Sequence, residues 1–206
     1  MPNAHAKQPT AALDGIVLAA GRSSRMGTPK AALDAGGATF VVRAVDALRD
    51  GGCRDVLVVI GPDEGGAGSA AAQAGAHVVV NTAPDSEQID SLRLGLRNLN
   101  PGALGAVVLP VDHPMVSSAT VRAVVDAWER TRAPIVRASH RGEPGHPTIF
   151  AVTVFDDLLR GELPDGARTV VAAHQAELVD VPVDDEGVTT DIDTPDDYRR
   201  ALGREP

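Results

Sequence analysis

The 206-residue sequence has a single cysteine, Cys53, and no long uncharged apolar run. One cysteine excludes an internal disulfide and a zinc site built from cysteines. The lack of a long apolar run predicts that no helix crosses a membrane. The first dozen residues also lack the charged start and the apolar core of a secretory signal, so we expect a disordered tail at 1–12 and a cytoplasmic protein.

Basic residues are outnumbered: 19 Lys and Arg stand against 28 Asp and Glu, which gives a net charge of −9. This balance argues against a nucleic-acid partner, because duplex binding draws on clustered basic residues. The six histidines are spread without metal-ligand spacing, so a zinc site is not expected. Apolar residues make up 43% of the chain, which predicts one globular domain over 13–206.

Two common nucleotide-binding fingerprints are absent as well. The stretch Gly15–Lys30 begins with a buried apolar strand, Ile16–Ala20, and continues into a glycine-rich loop. Its glycines do not have the Gly-x-Gly-x-x-Gly spacing of dinucleotide-binding proteins, which argues against a Rossmann oxidoreductase. Lys30 is not followed by the Ser or Thr of a Walker loop either.

The same loop does hold three cations among its glycines. Gly21 and Gly27 can take positive φ, so the backbone between them can curl and turn N–H groups toward an anion. Arg22, Arg25 and Lys30 add full positive charges. The loop therefore predicts a phosphate site; the alternative is a glycine-rich surface loop with surface arginines.

Apolar strands alternate with amphipathic helices along the chain, which predicts crossover units and a mainly parallel sheet. The fold class we expect is α/β: a single-domain, Rossmann-like, doubly wound sheet with helices on both faces. Ligands then bind at the carboxyl ends of the strands. The expected strands are Ile16–Ala20, Asp55–Ile60, His77–Val80, one from Ala106 onward, Pro134–Ala138 and Glu177–Val183. The expected helices are one capped by Thr39 and closed by Gly51, then Ala67–Ala74, Ser86–Leu99, Ala119–Arg130, Thr153–Arg160, Ala167–His174 and one starting at Pro195.

Two further features of the chain concern the ends of strands. Asp112 lies at the tip of the strand that begins at Ala106, where a carboxylate can bind Mg²⁺ together with phosphate oxygens. Alternatively, Asp112 caps the turn before Pro114. The segment Ser139–Pro147 is polar and glycine-containing, and it predicts a flexible loop.

The run Leu18–Lys30 resembles the signature Leu-Ala-Ala-Gly-x-Ser-x-Arg-Met-Gly-x-Pro-Lys of nucleotidyltransferases, with every fixed position filled. The likeness is strongest to the MobA-like and MocA-like group, which transfers CMP or GMP to molybdopterin. It implies the fold of nucleotide-diphospho-sugar transferases, a Mg²⁺-dependent nucleotidyl transfer, and catalytic roles for Arg25, Lys30 and Asp112. The nucleotide-binding residues that it implies are Leu18, Ala19, Ala20, Gly21, Arg22, Ser23, Arg25, Lys30, Asn81, Ser91 and Asp112.

The likeness continues with Asn81 and the run Ser91–Leu96, which in that group lies on the nucleotide base. Ser91 is otherwise a helix-surface serine. The sequence departs from the group at Glu87 and Gln88, where Gly-Met is usual. It departs again at His113, where Gln is usual, and we interpret His113 as a tolerated substitution rather than a base.

Two later motifs complete the resemblance. The run Asp191–Pro195 resembles Asp-Ile-Asp-Thr-Pro, whose second acid, here Asp193, binds the metal beside Asp112, with Asp191 in support. The run Gly145–Phe150 resembles the Gly-His-Pro-x-x-Phe segment of MocA-like cytidylyltransferases, which borders the acceptor pocket. It implies acceptor contacts by Gly145, His146 and Pro147; His146 either binds an acceptor phosphate or hydrogen-bonds the backbone.

These features predict transfer of CMP from CTP to a phosphate-bearing acceptor, with release of pyrophosphate. Ala20 favours CTP, because its methyl group fills space that a purine needs and because GTP enzymes of the group have Gly there. Molybdopterin is the acceptor that the resemblance implies; methylerythritol phosphate or a sugar phosphate stays open. The alternative of another class is a non-catalytic nucleotide- or pterin-binding chaperone that serves a molybdoenzyme.

Overall fold

The computed structural model describes residues 13–21, 26–62, 65–83 and 85–206. Within these ranges a seven-stranded sheet has the order β3-β2-β1-β4-β6-β5-β7. The strands are β1 Leu13–Ala19, β2 Val56–Ile60, β3 His77–Val80, β4 Gly105–Pro110, β5 Ile135–His140, β6 Glu143–Ala151 and β7 Val179–Pro182. The helices are α1 Phe40–Asp50, α2 Ala67–Gln73, α3 Gln88–Arg97, α4 Ser118–Thr131, α5 Phe155–Leu159, α6 Ala167–Ala173 and α7 Pro195–Leu202. The expected tail at 1–12 lies outside the described residues.

The sheet is mainly parallel, which confirms the predicted fold class. β1 pairs in parallel with β2 and with β4, β2 with β3, and β5 with β7. β6 runs antiparallel between β4 and β5. From β1 to β4, helices connect successive parallel strands, as the alternating pattern predicts.

Apolar cores cover both faces of the sheet, because successive side chains of a strand point to opposite sides. In β1, Val17 faces the core formed with α1, α2, α4 and α7, whereas Ile16 and Leu18 face the core formed with α3, α5 and α6. A Cβ added at Gly95 would come within 3.0 Å of Ile16 Cγ2, so α3 lies directly against the sheet. None of the helices in the described ranges is long and apolar enough to cross a membrane.

The prediction of a flexible loop at Ser139–Pro147 is wrong. These residues form a β-hairpin in which His140 pairs with Glu143 and Ser139 with Pro144. The turn is made by Arg141 and Gly142, whose φ angles of 51° and 85° suit a tight hairpin. Prolines and glycine give this segment the composition of a loop, but its pairing within the hairpin, and the pairing of β6 with β4 from Thr148 onward, override that local signal.

Three of the described helices begin at a capping hydroxyl, among them the helix predicted to start at Thr39. The side chains of Thr39, Ser117 and Thr194 each accept a hydrogen bond from a backbone N–H in the first turn. The helix expected at Ser86–Leu99 instead begins after Glu87, which forms a capping box with Asp90. This helix therefore starts two residues later than expected, at Gln88.

Candidate functional site

The site lies where the carboxyl ends of β1 and β4 meet. Leu18 pairs with Pro110, and the N–H of Val111 donates to the carbonyl of Leu18 over 3.0 Å. From β1 the chain adds β2 and β3 on one side, and β4 then lies on the other side of β1. A crevice at such a reversal of strand order is the usual ligand site of open α/β sheets.

Lys30 lies between two carboxylates at this crevice. It begins the 3₁₀ turn Lys30–Ala32, and its Nζ donates to Asp193 Oδ1 and lies 3.9 Å from Asp112 Oδ2. The N–H of Ile192 donates to the carbonyl of Asp112 over 2.8 Å, so the chain just before Asp193 is tied to Asp112. The structure thus brings together three residues predicted from separate motifs.

The electrostatics of Asp112 are those of a carboxylate held out of water. Burial raises its pKa, and the nearby charge of Asp193 adds to this rise, while His113 and Lys30 oppose it. Asp112 Oδ1 is buried and has no hydrogen-bond partner among the described residues. A cation in contact with the two carboxylates would relieve both the burial cost and the repulsion.

The backbone leading to this cluster is the glycine-rich loop. Leu18 and Ala19 are buried at the end of β1, Ala20 is half-buried and Gly21 is exposed. Gly27 has a φ of 68°, as predicted, whereas Gly21 does not adopt a positive φ. Arg22, Ser23 and Arg25 lie outside the described residues, so their predicted contacts with phosphate stay predictions.

Asn81 and Ser91, the two residues predicted to lie at the base, bind each other. Asn81 Nδ2 donates to Ser91 Oγ over 3.0 Å, and Asn81 Oδ1 accepts from the N–H of Ala83 at 3.1 Å. Both side chains are buried. This pair joins the end of β3 to α3, so it fixes the direction of the connection between them.

Arg93, in the same Ser91–Leu96 run, points away from the crevice. Its Nε donates to the carbonyl of Leu158 and its Nη2 to that of Gly161, each over 2.8 Å. These bonds dock the end of α5 onto α3.

A cavity of about 720 Å³ lies beside the crevice, on the face of the sheet covered by α3 and α6. Gly145 and His146 line it from β6, and Leu18 lines it from β1. Pro147 is buried in β6 and is not among the lining residues. Lys30, Asp112, Asn81 and Ser91 do not line it either, so the predicted nucleotide and acceptor residues fall into adjacent regions.

His146 is the polar side chain of this wall that the motif singled out. Burial lowers its pKa to about 3, with His113 acting in the same direction and a hydrogen bond to the Val108 backbone opposing it. Its ring centroid lies 5.0 Å from that of His113. A neutral imidazole brings no positive charge to a phosphate, and His146 Nδ1 is buried without a hydrogen-bond partner among the described residues. Both predicted roles of His146 therefore stay predictions.

Two cavity residues, Arg137 and Arg168, were missed by the sequence analysis. Arg137 Nε donates to Asp180 Oδ1 over 2.6 Å, so its charge is already paired. Arg168, in the first turn of α6, has no ion pair among the described residues. The sequence signal for this position was Gly166, two residues earlier, whose φ of 57° marks the start of α6.

No group of three His, Cys, Asp or Glu side chains is arranged to hold a metal ion in the part of the chain that the structure describes. The site thus offers two carboxylates, Asp112 and Asp193. This donor set fits Mg²⁺, which keeps several waters and takes one or two carboxylates together with phosphate oxygens.

A family profile for the MobA-like NTP transferase domain matches residues 15–178. The chain belongs to the MobA-like NTP transferase family. The match covers both strands of the crevice and the cavity wall. The protein is therefore a nucleotidyltransferase of this family, and its fold is that of the nucleotide-diphospho-sugar transferases.

Proteins similar in sequence to this MobA-like chain differ in the reactions that their names describe. A molybdenum cofactor guanylyltransferase from Sinorhizobium fredii is 30% identical over 173 residues, 82% of this chain and 78% of its own. A 2-C-methyl-D-erythritol 4-phosphate cytidylyltransferase from Streptomyces coelicolor is 31% identical over 191 residues, 82% of this chain and 70% of its own. A nicotine blue oxidoreductase from Paenarthrobacter nicotinovorans is 28% identical over 195 residues. The family therefore does not determine the nucleotide.

Among solved structures, Rv0371c from Mycobacterium tuberculosis superimposes on this MobA-like chain with a TM-score of 0.79 and 34% identity. The match covers 94% of this chain and 98% of that one. Rv0371c has also been solved in complex with manganese, and that structure matches with a TM-score of 0.74.

Proposed function

We propose that the protein transfers CMP from CTP to a phosphate-bearing acceptor, molybdopterin, and releases pyrophosphate. The observation that carries the proposal is the meeting of Lys30, Asp112 and Asp193 at the end of β1, beside the glycine-rich loop. A lysine flanked by two acids at this position suits a triphosphate bound together with a cation.

Nucleotidyl transfer requires little from the protein beyond position and charge. An acceptor phosphate attacks the α-phosphorus, and the bond to the departing pyrophosphate breaks. Lys30 would donate to phosphate oxygens and neutralise charge that grows in the transition state. No covalent intermediate on a side chain is needed, and Lys30, Asp112 and Asp193 are assigned to charge neutralisation and cation binding instead.

Asp112 and Asp193 are the residues that would hold Mg²⁺. The unpartnered Oδ1 of Asp112 and the raised pKa of its carboxyl support this assignment, because both indicate a carboxylate without enough positive charge near it. When bound, Mg²⁺ supplies charge neutralisation at the phosphates. The related Rv0371c has been solved in complex with manganese, which supports the choice of a divalent cation.

The nucleotide is proposed from Ala20, which follows β1 and is half-buried. Its methyl group takes up room near the crevice, and this favours the smaller cytosine over guanine. The S. coelicolor relative is named for cytidylyl transfer and the S. fredii relative for guanylyl transfer, so GTP is the competing substrate.

The acceptor is proposed from the cavity. Its volume of about 720 Å³ is within the range of small-molecule sites, roughly 300–1,000 Å³, and leaves room for an acceptor larger than a simple sugar phosphate. Arg168 supplies the positive charge there that an anionic acceptor needs, since the charge of Arg137 is paired with Asp180.

The deciding experiment measures pyrophosphate release for each of the four NTPs, with Mg²⁺, in the presence and absence of molybdopterin. We expect release with CTP that depends on the acceptor. Release with GTP instead would overturn the choice of nucleotide. Tight binding of NTP or pterin without any pyrophosphate would favour the chaperone.

A further inference from the structure

Asp193 reaches Lys30 from a segment, residues 185–193, that is tied at three places to the loop after β4. The first tie is at Asp185, next to the start of α4. The second joins Gly187 to His113, whose Nδ1 donates to the Gly187 carbonyl over 3.1 Å. The third is the bond from the N–H of Ile192 to the carbonyl of Asp112.

The tie at Asp185 is the densest of the three. Asp185 Oδ2 accepts from the N–H of Ser117 at 3.0 Å, from Ser117 Oγ at 2.8 Å and from Thr120 Oγ1 at 2.5 Å. Its Oδ1 accepts from the N–H of Gly187 at 2.9 Å, which fixes the 3₁₀ turn Glu186–Val188. A carboxylate at the N-terminus of α4 is also favoured by the helix dipole.

The 3₁₀ turn Glu186–Val188, which Asp185 holds, is closely packed against its neighbours. A Cβ at Gly187 would come within 2.5 Å of the Met115 backbone, and a Cβ at Gly145 would come within 2.0 Å of the carbonyl oxygen of Val188. Val188 and Ile192 are fully buried. The path from Asp185 to Asp193 is therefore fixed against both the loop after β4 and the strand that lines the cavity.

We propose that Asp185 is a positioning residue of the site: by binding the start of α4, it holds residues 185–193 so that Asp193 lies against Lys30 and Asp112. This inference rests on the proposed function for its catalytic consequence, but its structural part stands by itself. Asp185 touches neither Lys30 nor Asp112, so its effect passes through the segment that it anchors.

Asp185→Asn tests the proposal, because the amide keeps the shape but has one oxygen and cannot accept from the N–H groups of both Ser117 and Gly187. Asp184→Asn is the matched control: it changes the charge equally, one residue away, on an exposed side chain. Hydrogen exchange at the Ile192 amide is the readout that does not need activity, with the Val58 amide in β2 as the internal reference. We expect faster exchange at Ile192 in Asp185→Asn only, with Val58 unchanged.

The second readout is the Mg²⁺ concentration for half-maximal pyrophosphate release. We expect it to rise about tenfold in Asp185→Asn, which is the scale for partners that orient metal ligands. Unchanged exchange at Ile192 together with unchanged Mg²⁺ dependence overturns the proposal. If the wild-type protein releases no pyrophosphate, the proposed function fails while the exchange comparison still tests the anchor. Should Asp185→Asn not fold, Thr120→Val removes a single bond to Asp185 and is expected to give smaller changes of the same sign.

Discussion

Lys30, Asp112 and Asp193 depend on one another for their charges. The lysine lies within reach of both acids, and it offsets the burial and repulsion that raise the pKa of Asp112. Each of the three comes from a different motif, and the motifs by themselves predict that the three residues lie close together. What no motif contained is the direct bond between Lys30 and Asp193, since side-chain contacts between distant segments depend on packing.

Lys30→Ala is expected to lower kcat/KM for pyrophosphate release by roughly 10²- to 10³-fold, the usual effect of removing one oriented donor. Arg130→Ala, an exposed cation at the end of α4, is the control for loss of a positive charge. A folded Lys30→Ala variant with the wild-type rate would contradict the assigned role.

Asp112→Asn is expected to reduce turnover sharply without lowering stability at pH 7. The native pKa of Asp112 is raised, so its ionised form weakens the fold above that pKa, and the wild type recovers this stability as the pH falls through it. Thermal melting of the two proteins at pH 7 checks the expectation.

Asp14→Asn is the contrasting variant for that measurement. The Asp14 carboxylate is buried and binds Arg54 through two bonds of 3.0 Å, so its loss should destabilise the fold by about 1–3 kcal/mol. Equal losses of stability in the two variants would show that Asp112 serves the fold rather than the site.

Among the elements, β6 and the 3₁₀ turn at Glu186–Val188 pack so closely at Gly145 that no side chain fits between them. The Gly-His-Pro motif predicts Gly145 as an acceptor contact; the structure places this glycine in the cavity wall and also packs it closely against Val188. Strands and helices with clear periodicity were predictable because their signal is local. The antiparallel placement of β6 was not, because it depends on which distant strands are available for pairing.

Gly145→Ala is expected to destabilise the protein by about 1–3 kcal/mol, because the new methyl group would collide with the Val188 carbonyl. Gly61→Ala, whose Cβ would meet its nearest neighbour at 3.4 Å, is the control and should stay close to wild type. Urea midpoints measure both. A Gly145→Ala midpoint equal to that of the control would mean that the turn moves aside at no cost.

At the scale of the whole molecule, a sheet with buried clusters on both faces forms one structural unit. The acidic excess of the chain does not prevent a cationic site, since charges farther apart than about 8 Å are largely screened at physiological salt. The overall winding could be predicted because crossover connections leave few arrangements. The size of the cavity could not, because it depends on how α6 packs beside β6.

The protein is expected to unfold in one cooperative transition. Trp128 is the only tryptophan and is buried in the core beside α1, so its fluorescence reports one face of the sheet, while far-ultraviolet circular dichroism reports the whole chain. Coincident urea curves from the two probes are the expected result. Two separated transitions would contradict the prediction of a single domain.

The antiparallel hairpin of β5 and β6 limits how the acceptor specificity of this protein can change. The cavity wall at Gly145 and His146 lies in β6 directly before Thr148, from which β6 pairs with β4 on one edge and β5 on the other, so insertions and deletions there would shift the register of a central strand. Descendants with new acceptors are then expected to differ by side-chain replacements on this strand and by variation in the α5–α6 connection. An engineer should randomise the same positions first.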